Sequence, residues 1–185
     1  MPSELQRRKV AQVFPAMDAN GDGLLEQSDF EALTARWTAN RGLPADSADR
    51  IRLTAIMMGW WDTLLAASDL DRDNKVTLDE VLLVVDQLPS QLHAVTATAS
   101  TMFDAIDENG DGAISAAEYR QLVETWNGKP VDTDEVFPLL DSDHDGSLSR
   151  EEFIELWAEF WAGDNPEAPG TFVFGRFELP ELANK

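Results

Sequence analysis

Four stretches of twelve residues concentrate the sequence's chemistry: DANGDGLLEQSD (18–29), DLDRDNKVTLDE (69–80), DENGDGAISAAE (107–118) and DSDHDGSLSREE (141–152). Each opens on an aspartate: Asp18, Asp69, Asp107 or Asp141. The third residue is Asn20, Asp71, Asn109 or Asp143, and the fifth is Asp22, Asp73, Asp111 or Asp145. The twelfth is again a carboxylate: Asp29, Glu80, Glu118 or Glu152. Alternate residues of a tight loop turn their oxygens toward one interior point. That arrangement suits a hard divalent cation, because calcium takes roughly six to eight oxygens at about 2.3–2.6 Å. The seventh residue (Leu24, Lys75, Ala113 or Ser147) adds its backbone carbonyl, and a glutamate in twelfth place brings two oxygens at once. The sixth must turn back with positive φ, which Gly23, Gly112 and Gly146 do without strain.

The four stretches differ in quality. Loops 107–118 and 141–152 meet every requirement. Loop 18–29 closes on Asp29, one methylene shorter, which reaches the ion with fewer oxygens; this leaves the site less selective against Mg2+. Glu26, its ninth residue, is expected to compensate directly or through a water. Loop 69–80 keeps all four acids but has Asn74 in sixth place. Asparagine is the next most tolerant residue of positive φ, so this loop is expected to bind more weakly rather than not at all.

The global charge follows from these sites. Fifteen acidic residues at or beside ligand positions account for most of the formal charge of −21. Two carboxylates ~4 Å apart repel by roughly 4 kcal/mol at an effective dielectric near 20, so such crowding calls for a counter-ion. A chain this acidic is a poor match for nucleic acid or anionic membrane. Metal ions and basic peptides are its natural partners. Cysteine is absent, which excludes disulfides, thiolate metal sites and cysteine nucleophiles. No run approaches the roughly 20 apolar residues of a membrane span, and MPSELQRRKVAQVF lacks the apolar core of a secretory signal. A cytoplasmic monomer is expected. His93 and His144 have no catalytic partner in the sequence, so no enzyme is expected.

The elements that must hold such loops are helices. Val10, Val13, Phe14 and Met17 form a stripe before the first loop; Leu92, Val95, Ala99, Met102, Phe103 and Ile106 form one before the third. An apolar residue follows each twelfth position: Phe30, Val81, Tyr119 and Phe153. This is the pattern of the EF-hand, a helix–loop–helix unit. The expected fold is all-α, with four EF-hands in two pairs forming one compact globule. The eighth residues (Leu25 with Val76, Ile114 with Leu148) are expected to meet in short antiparallel β-contacts. The pairs divide the chain into 1–88 and 89–161, followed by a tail, 162–185. Loop starts are separated by 51, 38 and 34 residues, and the long first interval implies an extended third helix. Pro15 and Pro138 either kink their helices or end them early. Phe172, Phe174, Phe177 and Leu179 give the tail four large apolar groups, so it is expected to fold back on the helices.

Four hands, the long first interval, the aspartate closing loop one and the aromatic tail FVFGRFELPE (172–181) resemble the sarcoplasmic calcium-binding protein family, including its bacterial calerythrin-like members. The resemblance implies a compact helical globule with its C-terminal segment packed inside, binding Ca2+ and Mg2+ in the cytosol. In calerythrin-like proteins the second hand is usually degenerate, whereas loop 69–80 keeps four acidic ligands. A calcium buffer is the leading expectation and a sensor gripping a target helix the second. A photoprotein-like ligand binder is a remote third, because one tyrosine and two histidines leave few groups for His–Trp–Tyr arrangements.

Overall fold

A computed structural model describes residues 1–175 of the chain. Among the described residues eight α-helices run in order: α1 (Glu4–Met17), α2 (Gln27–Asn40), α3 (Ala48–Ser68), α4 (Leu78–Gln87), α5 (Leu92–Ile106), α6 (Ala116–Asn127), α7 (Phe137–Leu140) and α8 (Arg150–Ala162). Four short strands lie in the loops: β1 (Leu24–Leu25), β2 (Val76–Thr77), β3 (Ala113–Ser115) and β4 (Ser147–Ser149). They pair β1 with β2 and β3 with β4, both antiparallel. Leu25 faces Val76 and Ile114 faces Leu148, so the eighth residues meet as the loop alignment requires. No helix among the described residues is long and apolar enough to cross a membrane.

Local chemistry explains where the helices start. Ser3 and Gln6 form a reciprocal capping box on α1. Thr77, Ser115 and Ser149, the ninth loop residues, do the same with Glu80, Glu118 and Glu152 at the third helical position. The twelfth-place carboxylate is thus placed by the helix start itself. The long first interval is filled by the 21-residue α3, capped by Ser47.

The two prolines have different outcomes. Pro15 stays inside α1, near its end. Pro138 occupies the first turn of α7, where its missing N–H costs nothing, and that helix is a single turn of four residues. Upstream, Gly128 ends α6 in the left-handed conformation (φ 69°), and the chain from 129 to 133 makes no helix. Pro138 therefore neither kinks an incoming helix nor ends one: it opens the single turn that leads into the fourth loop.

α2 packs on α3 and α6, α1 on α4 and α8, and α5 on α8. One apolar cluster runs through all of them, from Val10 to Phe174, and includes Trp37, Trp126 and Trp157. Trp61 lies in it and Trp60 packs against it. Leu92 is a departure from the expected stripe: it sits at the first position of α5 and is 49% exposed. After α8 the chain turns at Pro169–Phe172 and packs back on that helix. The Phe174 ring lies 4.9 Å from Phe160, 5.3 Å from Trp126 and 5.4 Å from Trp157. The Tyr119 hydroxyl donates to the Phe172 carbonyl at 2.9 Å. Phe177 and Leu179, also expected on the core, lie outside the described residues.

Candidate metal centres

Each loop begins where an incoming helix makes its last bond. The N–H groups of Asp18, Asp69, Asp107 and Asp141 donate to the carbonyls of Phe14, Leu65, Phe103 and Phe137, at 2.8–3.1 Å. Phe14, Phe103 and Phe137 are buried and Leu65 is half-buried, so the first ligand position is anchored to the core. The aspartate carboxylate then folds into the loop and accepts N–H groups from it. Asp18 accepts from Gly21, Asp22 and Gly23; Asp69 from Arg72, Asp73 and Asn74. Asp107 accepts from Gly110, Asp111 and Gly112, and Asp141 from Asp145 and Gly146.

The same ladder continues inward. Oδ1 of Asn20, Asp71, Asn109 and Asp143 accepts the N–H of Asp22, Asp73, Asp111 and Asp145. Oδ1 of those four aspartates accepts the N–H of Leu24, Lys75, Ala113 and Ser147. These bonds hold Oδ1 of each third- and fifth-place side chain and fix its direction. Carboxylate oxygens of Asp69, Asp71 and Asp73 lie within 4.8 Å of one another, as do those of Asp141, Asp143 and Asp145. Partial desolvation pushes the Asp71 carboxyl up, and the charges of Asp73, Glu80 and Asp69 add to this, while the Asp73 N–H works against it. An all-oxygen donor set of crowded, pre-aimed carboxylates fits a hard cation such as Ca2+.

The twelfth residue ties the two arms of each loop together. Glu118 accepts from Glu108 and Ser115 N–H at 3.0 and 2.8 Å. Glu80 accepts from Leu70 and Thr77, and Glu152 from Ser142 and Ser149. The Thr77 N–H is the main influence holding the Glu80 carboxyl below the usual range. Asp29 spans the same gap, from Ala19 at 3.0 Å to Glu26 at 2.8 Å, despite its missing methylene. It is the most deeply buried of the four, at 1% exposure.

Three features went beyond what the sequence had suggested. The fourth loop residue is left-handed as well as the sixth: Gly21 and Gly110 at φ 73° and 70°, but Arg72 and His144 at 64° and 59°. Asn74 has the expected positive φ, 64°, so loop 69–80 has two non-glycine residues in this region. Secondly, the Glu26 side chain reaches outside its own loop. Its Oε1 pairs with Lys75 Nζ at 2.6 Å, across the strand contact, so the expected help toward an ion in loop 18–29 is not its position here. Thirdly, guanidinium groups cover the C-terminal carbonyls of α5. Arg41 donates to Ala105 and Ile106, and Arg52 to Asp104. α5 has no basic residue in its own last turn, and these two cations come from outside its own pair of hands. The long sequence separations hid the third feature; the alignment of glycines in fourth place could have revealed the first.

Comparison with known proteins agrees with this geometry. Residues 97–158 match the family model for the EF-hand domain pair and residues 10–34 that for the EF hand. Loop 69–80 falls outside both. Both matched stretches are EF-hand in kind. The whole chain is similar to the sarcoplasmic calcium-binding protein alpha-B and -A chains of Penaeus sp., being 29% identical over 177 residues that cover 88% of this chain and 91% of the relative. Among solved structures, the fold is shared with a sarcoplasmic calcium-binding protein from amphioxus (TM-score 0.72, 19% identity, 95% of this chain and 99% of that one). It is shared too with the coelenterazine-binding protein of Renilla muelleri (TM-score 0.74, 22% identity, 94% and 98%).

Proposed function

We propose that this chain binds Ca2+ in its four loops and serves as a cytoplasmic calcium buffer, acting as a monomer and not as a catalyst. The observation that carries this is the fourfold repetition of one oxygen cage, in which backbone N–H groups of the fifth, sixth and seventh residues aim the first, third and fifth side chains of every loop. The ligands are Asp18, Asn20, Asp22, Leu24 and Asp29; Asp69, Asp71, Asp73, Lys75 and Glu80; Asp107, Asn109, Asp111, Ala113 and Glu118; and Asp141, Asp143, Asp145, Ser147 and Glu152, the seventh residues through their carbonyls. The bound ion supplies the positive charge that the crowded acids lack. Loop 18–29, closed by the short Asp29, takes Mg2+ as well.

The packed tail supports a buffer over a sensor. Phe174, 6% exposed, fills the space among Trp126, Trp157, Phe160 and Trp161 that a target side chain would enter. Sensors line their grooves with methionine; here Met17, Met57 and Met102 are core residues. One observation favours the sensor. A groove of about 630 Å³ between α3 and α5 is walled by Ala55, Gly59, Trp60, Ala94 and Met102, with Arg52 its one charged lining residue. Its apolar walls suit the apolar face of an amphipathic helix, whose basic face would meet the acidic surface of a chain of charge −21 outside the groove.

Calorimetric titration with Ca2+, with and without millimolar Mg2+, tests the proposal. At least two tight events are expected, one lost in Glu118→Gln and one in Glu152→Gln. A buffer gives little calcium-dependent rise with a hydrophobic dye; a large rise with capture of a basic amphipathic peptide means a sensor. Chelator-stripped protein that takes up no calcium at micromolar supply refutes both.

A further inference from the structure

The register of the first strand pair sets an unusual contact between its loops. Leu24 faces Thr77 and Leu25 faces Val76, so the next cross-strand partners are Glu26 and Lys75. These are the ninth residue of one loop and the seventh of the other. The second pair has the same register, and there the equivalent positions are Ser115 and Ser147. An ammonium–carboxylate pair in the first half thus replaces two hydroxyls in the second.

Lys75 Nζ lies 2.6 Å from Glu26 Oε1, with the two side chains 40% and 29% exposed. The other carboxylates acting on this ammonium are Asp22 and Asp73, the fifth residues of the two paired loops. The lysine therefore stands between two clusters of metal-directed oxygens. Taking those loops as the cation sites argued above, we propose that Lys75 is a specificity-determining residue, a built-in counter-cation that occupies Glu26 and holds the calcium affinity of the first pair below that of the second.

Two effects of removing its charge have the same sign. The ammonium repels a divalent ion in either loop, and it withholds a carboxylate that would otherwise add negative charge beside loop 18–29. As a partly exposed cross-strand staple, the pair contributes little in the opposite direction. Lys75→Met should therefore tighten calcium binding in the first pair by about fivefold, the effect of a unit charge near a divalent ion through a largely aqueous medium. Lys75→Arg, which keeps the charge, should leave it near the wild-type value. The gain should shrink at high ionic strength.

The full chain can be titrated with calcium while the amide resonances of Gly23, Gly112 and Gly146 are followed by NMR. Each of these N–H groups donates to the first aspartate of its own loop, so the three report their loops separately. The expected result is a tighter transition at Gly23 in Lys75→Met, with Gly112 and Gly146 unmoved, and loss of that gain in Lys75→Met/Glu26→Gln. A Gly23 transition that is unchanged or weaker, while Gly112 and Gly146 titrate normally, overturns the proposal. If none of the three glycines responds in the wild-type chain, the metal-site assignment itself fails.

Discussion

Asn74 and Arg72 carry loop 69–80 through left-handed backbone that glycine occupies at both places in loop 107–118. Each side chain in that region costs on the order of 1 kcal/mol, which is roughly a fivefold loss in affinity if the strain is sharper in the bound loop. Asn74→Gly and Arg72→Gly should each tighten calcium binding at this loop by about that factor, and Glu80→Gln should remove its binding event. Titration calorimetry checks all three; no change on Glu80→Gln would mean the loop holds no ion. The ligand set itself was legible because coordination chemistry fixes its spacing. The fourth-place conformation was legible only through Gly21 and Gly110, because Arg72 and His144 adopt it without announcing it, as the first aspartate gathers N–H groups around it. The exchange of Glu26 from its own loop to Lys75 was within reach of the sequence. Once the eighth residues are placed opposite each other, positions seven and nine must face.

Among the elements, the junction of α1 with the end of α8 has an uncommon fastening. Lys9 is fully buried, and its Nζ donates to the Glu159 and Gly163 carbonyls at 3.0 and 2.8 Å, where a cation favours the helix C-terminus. Burial lowers its pKa from 10.5 to about 8, against the pull of Asp164 and Glu159. Between those values the unfolded chain holds a proton that the folded chain has released, so stability should rise as pH increases from about 8 toward 10.5. Urea unfolding across that range should show the rise in wild type and not in Lys9→Met. The tail's attachment is equally specific. Gly170 donates to Glu159 Oε2 at 2.8 Å, and a Cβ at this residue would lie 2.3 Å from the Leu156 carbonyl oxygen. Gly170→Ala should lift the turn off α8, cost about 2 kcal/mol, and shift tryptophan emission as Phe174 withdraws. The outgoing helices were legible from their periodicity and from the serine, threonine and glutamate that start three of them. α7 was not: a proline sequence that reads as a helix kinked or ended early becomes, after Gly128 and Pro130, the first turn of a very short one.

At the scale of the whole molecule, one apolar cluster joins the two pairs of hands, and Arg41 fastens the end of α2 to the carbonyls before Asp107. A ligand that binds only the folded state adds about 4 kcal/mol per site at a thousandfold excess over its dissociation constant. For a chain of this size each kcal/mol moves the melting point by roughly 2–4 °C. Stripping the ions with a chelator should therefore lower Tm by more than about 10 °C, and the shared core should keep the remaining transition single in calorimetry. Added salt should recover part of the loss by screening the exposed acids. The one-turn α7 has a mechanical consequence. A hand with two long rods can answer its ion by swinging either, but hand four has a long lever only downstream. Whatever stroke occupancy of 141–152 produces must travel along α8, whose far end grips both α1 and the Phe174 wedge, so this hand is geared to the protein's own interior.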